Sequence, residues 1–255
     1  VRIAFVGKGG SGKSAISGTF ARFLARDGKP VLAVDSDPLP GLAYSLGLAI
    51  DDTPPIPEDA VVERREGESG PRYRLRPDLD PTEAVELYSV AAPDGVRFLQ
   101  FGKVQAQSSQ RLFRAQLAFR QIVNQLPDGV WNVVGDLPGG TRQPFTGWGS
   151  FARTAVIVVE PSAQSMLSAR RLARMTKLEK GPSRVVAVAN KVRQDDDAEL
   201  IAGRTGLDVI ATVPWDEAFS DAERKQRAPI DEAPDSAAVA AIESLVDRLV
   251  EEDAS

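Results

Sequence analysis

Short apolar runs separated by amphipathic stretches organise this chain. Runs rich in Val, Ile, Leu and Phe at 3–6, 31–35, 96–101, 131–135, 155–159, 185–189 and 209–213 have the length of buried strands. Between them, apolar positions recurring every three or four residues predict helices over 14–27, 109–126, 164–179, 197–205 and 236–251. In the first of these, Ile16, Phe20, Phe23 and Leu24 share one stripe, and Gly28 followed by Pro30 ends it. Strands alternating with helices predict an α/β fold: a doubly wound, mostly parallel sheet of about seven or eight strands with helices on both faces. The stretch from Asp51 to Pro81 breaks the pattern, being rich in Pro, Glu, Arg and Gly. With too few apolar residues for a core of its own, it reads as an insertion at about 51–81 in a single domain spanning 1–255, with Tyr73 to Arg76 as an edge strand.

Composition narrows the chemistry. The 255 residues are 42% hydrophobic, enough for a substantial core. There is no apolar run near 20 residues and no charged leader before an apolar stretch, so neither a membrane span nor a signal peptide is expected, and the cytoplasm is the expected compartment. The chain has neither Cys nor His, which removes disulfides, thiolate nucleophiles, imidazole bases and the usual zinc ligands. The net charge of −5 argues against wholesale binding of nucleic acid.

Residues 7 to 14 read Gly-Lys-Gly-Gly-Ser-Gly-Lys-Ser, between the apolar run Ile3 to Val6 and a helical pattern. The spacing G-x(4)-G-K-[ST] is that of a phosphate-binding loop. Its glycines let successive backbone N–H groups curl round the phosphates of a nucleotide, its lysine neutralises charge, and its hydroxyl holds Mg²⁺. Gly9, Gly10, Ser11, Gly12, Lys13, Ser14 and Ala15 are therefore the expected phosphate contacts. Asp35 and Asp37 follow the second strand, where a parallel sheet carries its ligands. Two apart in extended chain, they are expected to face the metal and the attacking water together. A third piece is the run from Trp131 to Gly135 ending in Asp136, an apolar strand closed by an acid that can hold a Mg²⁺-bound water. After it, Gly139 offers an amide to the γ-phosphate as part of a switch over 136 to 142, with Phe145, Trp148 and Phe151 beside it as core or contact surface. The expected metal set is Ser14, Asp37 and Asp136. Asn190 and Lys191 close the strand at 185–189, and Pro214, Trp215 and Asp216 close the one at 209–213. The Asn190 amide can pair with an adenine edge, and the second group can cover the base.

The variant with an early lysine, here Lys8 to Ser14, resembles the signature of one branch of P-loop ATPases. That branch includes MinD and ParA proteins, the nitrogenase iron protein, tail-anchor targeting ATPases and CooC maturation factors. Further stretches resemble CooC-like ATPases most: Leu32 to Pro38, Val158 to Ser162 leading into Ala169 to Ala173, Val188 to Val192, and Val213 to Glu217. The resemblance implies ATP and Mg²⁺ as cofactors and ATP hydrolysis in a homodimer that acts on a client protein. It implies that Lys8 reaches the partner's phosphates, that Asp37 sets the water while Asp35 supports the metal shell, and that the two late strand ends bind adenine. CooC proteins hold metal on a Cys-x-Cys pair; the corresponding region here, Gly102 to Gln110, offers only Gln and Ser, so nickel or an iron–sulfur cluster is not expected.

A positioning ATPase on DNA would use Arg170, Arg171, Arg174, Lys177 and Lys180, a run that reads first as a solvated face. On a membrane it would use a basic terminal helix, but Ile242 to Glu252 is acidic. Neither partner is expected. A nucleotide-gated binding module with little hydrolysis, or a small-molecule kinase, shares the loop; no acceptor-binding signature favours the latter.

Overall fold

The structure, a computed structural model, describes residues 1–37, 41–49, 56–100, 109–138, 147–175 and 181–253. Ten strands and nine α-helices are defined among these residues. In chain order they are β1 (Arg2–Val6), α1 (Lys13–Arg26), β2 (Val31–Asp35), α2 (Leu42–Ser45), β3 (Val61–Glu63), β4 (Tyr73–Leu75), α3 (Pro81–Tyr88), β5 (Val90–Ala91), β6 (Arg97–Gln100) and α4 (Ser109–Gln125). There follow β7 (Asn132–Asp136), β8 (Thr154–Val159), α5 (Ala163–Met175), β9 (Arg184–Val192), α6 (Asp197–Thr205), β10 (Val209–Pro214), α7 (Glu217–Arg224), α8 (Pro229–Glu232) and α9 (Ala237–Asp253).

Eight strands form one sheet in the order β10-β9-β8-β1-β7-β2-β6-β5, parallel throughout except for the short edge strand β5. The mostly parallel, doubly wound sheet is thus as expected. Alternation along β1 separates two cores: Ile3 and Phe5 face one made with α1 and α9, while Ala4 and Val6 face another made with α4. Phe5 meets Phe20 edge-on, with ring centroids 5.3 Å apart, which seats α1 on the strand that precedes it. Such a pair contributes about 0.5–1.5 kcal/mol beyond its buried area. The far end of α1 is tied down by Arg22, buried and paired with Asp94 at 2.7 Å and with Asp231. The helix that begins at the phosphate loop is therefore fixed along its length.

The 51–81 stretch differs from expectation in one respect. Tyr73–Leu75 is a strand, but it pairs with β3 as a separate antiparallel hairpin and does not edge the main sheet. Its apolar residues Ile56, Ala60, Val61, Leu75 and Leu79 join the α4 side of the main core. Residues 50–55 lie outside the described set, as do 176–180 at the end of the expected helix 164–179. No helix among the described residues is long and apolar enough to cross a membrane.

Candidate nucleotide-binding site

The loop from Gly7 to Gly12 joins β1, which lies between β7 and β8 in the sheet, to α1. Three of its glycines are required by geometry, Gly10 by its left-handed φ of 83°. A Cβ on Gly7 would stand 2.6 Å from the Val158 carbonyl oxygen and 2.8 Å from Ser11 Oγ. Gly12 has a left-handed backbone, φ 86°, and a Cβ there would collide with the Asn190 side-chain amide. Gly12 is also the N-cap of α1, and neither a capping side chain nor an acidic residue occupies the first turn. An uncapped helix N-terminus behind a glycine loop suits an anion, since its free N–H groups and the helix dipole both favour negative charge. Gly9 and Gly10 are exposed on the loop, Lys13 and Ser14 open the helix, and Ala15 is buried behind them.

On the β2–β7 flank the acids gather. Asp35 and Asp136 are register partners on adjacent strands. Asp136 is buried; its Oδ2 accepts a hydrogen bond from Ser14 Oγ, while its Oδ1 has no partner among the described residues. On the opposite side of the loop, towards β8, the Ser11 hydroxyl is likewise buried and unpartnered. Burial pushes the Asp136 carboxyl up from the ordinary range, against the pull of the Lys13 ammonium and the Ser14 hydroxyl. Asp35 is fully buried and is pushed up further, first by desolvation and then by the charge on Asp136.

Asp35, expected to face the metal beside Asp37, has its carboxylate engaged by backbone. β2 ends at Asp35, so the two-residue alternation stops there. That carboxylate accepts from the backbone N–H of Asp37 at 2.8 Å and of Leu42, at the start of α2, at 3.1 Å. Asp37 remains half-buried beside the site, close enough for its charge to raise Asp136.

The donor set fits Mg²⁺, a hard ion that takes oxygen ligands. A hydroxyl and a buried carboxylate with one unpaired oxygen meet at Ser14 and Asp136. Among the described residues no group of three or more acids comes together as a metal cage, so phosphate oxygens and water would complete the shell.

The β8–β9 flank is built differently. Asn190 and Lys191, expected at the base, are turned onto the loop. The Asn190 amide nitrogen, buried, donates to the Ser11 carbonyl at 2.7 Å. Lys191 has a left-handed backbone, φ 58°, and its ammonium donates to the Gly10 carbonyl at 2.8 Å while pairing with Glu160 at 2.7 Å. Glu223 of α7 completes this group; burial holds its carboxyl above the ordinary range, opposed by Lys191 and reinforced by Glu160. Asp216, also expected at the base, caps α7 by accepting from the Phe219 N–H at 2.9 Å. Pro214 is the last residue of β10, and Trp215 is 40% exposed with the Arg193 guanidinium 4.2 Å over its ring. Of the expected base-binding group, Trp215 is thus the one with an exposed apolar face.

Lys8 donates to Gln164 of α5 at 2.8 Å in an exposed contact. Gly139, Phe145 and most of the 136–142 switch lie outside the described residues, as does 101–108. Trp148 and Phe151 are buried, which assigns these two rings to the core. Glu160, Gln164 and Glu223 were not among the expected site residues; the signal for Glu160 was an acid closing the apolar run 155–159.

Comparison with known proteins agrees with this geometry. A family model described as the CobQ/CobB/MinD/ParA nucleotide-binding domain matches residues 3–230. An uncharacterized ATP-binding protein of Methanocaldococcus jannaschii is 26% identical over 227 residues, covering 85% of this chain and 86% of that protein. The carbon monoxide dehydrogenase accessory protein CooC of Rhodospirillum rubrum is 28% identical over 233 residues, 88% of this chain and 87% of its own. Among solved structures, the septum site-determining protein MinD of Pyrococcus horikoshii, complexed with Mg-ADP, superposes with a TM-score of 0.71 at 17% identity, covering 97% of this chain and 94% of that one.

Proposed function

The chain belongs to the CobQ/CobB/MinD/ParA nucleotide-binding family, and from that footing we propose that it is an ATP-hydrolysing dimeric switch of the CooC/MinD type. The observation that carries this reading is the convergence of an uncapped α1 N-terminus, Lys13, Ser14 and the unpaired oxygen of buried Asp136 on one loop. ATP binds with its phosphates on residues 9–15, and Lys13 grips the β- and γ-phosphates. Ser14 and Asp136 hold Mg²⁺, which supplies charge neutralisation at the phosphate oxygens when bound. Asp37 orients the attacking water, and Asp35 holds the backbone N–H groups of Asp37 and Leu42. Lys8, tethered at the surface by Gln164, leaves that contact to enter the site of a second copy. Loss of the γ-phosphate relaxes residues 37–42 and 136–142, and a client protein is released or acted on. With no Cys or His in the chain, it works without nickel or an iron–sulfur cluster.

The test is turnover per subunit against protein concentration for the wild type and Lys8→Ala. We expect wild-type turnover to rise with concentration and the variant to lose 10³-fold or so, the lower end of what a trans cation contributes. Turnover independent of both would end the dimeric reading.

A further inference from the structure

We propose that the groove between α5 and α6 is a docking surface for an acidic amphipathic helix of a partner protein. This rests on the switch reading and names the class of client it would serve.

Helix α5 buries the stripe Ser165, Ala169 and Leu172 against the sheet. Leu167 and Arg170 stand off that stripe, and across the groove Leu200 and Arg204 of α6 do the same. Each wall therefore presents a leucine and, one turn towards its C-terminus, an arginine. Leu167 is 50% and Leu200 40% exposed, two of the few large apolar side chains left open on the described surface. They border a hollow of about 400 Å³, floored in part by Met166. A second hollow of about 360 Å³ continues it past Arg170 to Arg174, ending at Asp208. From Ala163 to Arg174 the wall runs about 16 Å at 1.5 Å per residue, the length of roughly three helical turns.

Charge names the occupant. The chain as a whole is acidic, yet among the described residues Arg170, Arg174 and Arg204 have no ion-pair partner and Asp208, at the far end, is the one acid lining either hollow. Apolar centre and unpaired cationic rim match a helix whose leucine face is flanked by Glu or Asp. Duplex DNA would gain nothing from the leucines, and a bilayer takes up protruding side chains, whereas these line a recess.

Both walls also begin at the nucleotide site. Next to the start of α5, Gln164 holds Lys8 and Glu160 holds Lys191. The N-terminus of α6 is fixed by Asp197, which accepts from the N–H groups of Arg193 and Gln194 just beyond Lys191. A helix lying between them would sense any shift of the loop.

Fluorescence anisotropy with a labelled 16-residue peptide, leucines at i and i+4 flanked by glutamates, tests this on the full chain. The controls are a scramble of the same composition and a version with Lys for Glu. We expect the acidic helix to bind, the scramble and the Lys version to bind at least tenfold more weakly, and Arg170→Glu with Arg204→Glu to cost tenfold or more. Leu167→Ser should cost at least threefold. Equal binding of the scramble or the Lys version, indifference to Leu167→Ser, or no binding of the acidic helix overturns the proposal. So does binding of a 20-base-pair duplex or of phosphatidylglycerol vesicles that the double variant abolishes. Labelled ADP is titrated in parallel: its failure to bind the wild type sinks the nucleotide reading, while the peptide arms decide the groove independently.

Discussion

The two flanks of the phosphate loop are built on opposite principles. On the β2–β7 side, the buried Asp136 Oδ1 is left short of a partner, and two carboxyls are pushed up by burial. On the β8–β9 side the polar groups are matched to one another: Asn190 to Ser11, Lys191 to Gly10 and Glu160, Asp216 to the start of α7. A buried polar group without a partner costs free energy and persists where a ligand completes it. The unsatisfied flank is therefore where chemistry is expected, and the satisfied flank is the brace that holds the loop in shape for it.

The contrast is tested most severely at Asp136. Asp136→Asn should lower ATP turnover about 100-fold or more, since a metal ligand contributes several kcal/mol to the transition state. It should not lower the melting temperature of the nucleotide-free protein, because the native carboxyl is raised and its ionised form is a burden at pH 7. A fall in both would place Asp136 with the brace. Gly12→Ala comes next. Its left-handed φ costs a non-glycine residue about 1–2 kcal/mol, and the new Cβ must also displace the Asn190 amide. Nucleotide affinity and thermal stability should fall together, read by titration of labelled ADP and by melting. Asn190→Ala removes one brace bond and leaves the Ser11 carbonyl unsatisfied, for about 1–3 kcal/mol of stability. If Asn190 served as a base reader alone, that variant would melt as the wild type does and discriminate less between ADP and GDP.

The sheet is legible because strands of a parallel sheet buried on both faces are continuous apolar runs; the run 155–159 is the strand Thr154–Val159. The elements that the hydrophobic pattern misses are short. α3 and α7 each bury only two residues, Ala84 with Val85 and Phe219 with Ala222, too few to set up a period. Their caps were nonetheless visible in Asp80-Pro81 and in Asp216, since an acid before a polar helix start is a signal independent of hydrophobicity. At the site, the sequence indicates which residues reach the carboxyl edge of the sheet, because topology brings strand ends together. It does not indicate which way they turn. Lys191 points onto the loop because β9 runs on to Val192 and its backbone flips to positive φ, a choice set by packing and invisible in residue order. The same holds for Asp35 and Asp37: β2 ends two residues before Asp37, so strand alternation does not govern the pair, and the Asp35 carboxylate goes to backbone.

The smallest expected effect concerns Glu223, which belongs to the brace yet is not fully at ease there. Its carboxyl is raised by burial and by Glu160, against the pull of Lys191. A raised carboxyl keeps its proton in the native state to a higher pH than in the unfolded chain. Its contribution to stability is thus complete below the ordinary carboxylate range, near pH 4.3, and is lost as pH rises through the native value. Glu223→Gln stays neutral and escapes that loss. The variant should therefore melt higher than the wild type at pH 7, by about 2 °C, the shift expected from about 1 kcal/mol or less in a chain of this size. The gap should close as pH falls towards 4, and ATP turnover at pH 7 should change less than twofold. If the gap widened on acidification, the sign of the burial effect would be wrong. If turnover collapsed while melting stayed put, Glu223 would belong to the chemistry and the division between the two flanks would fail at this residue.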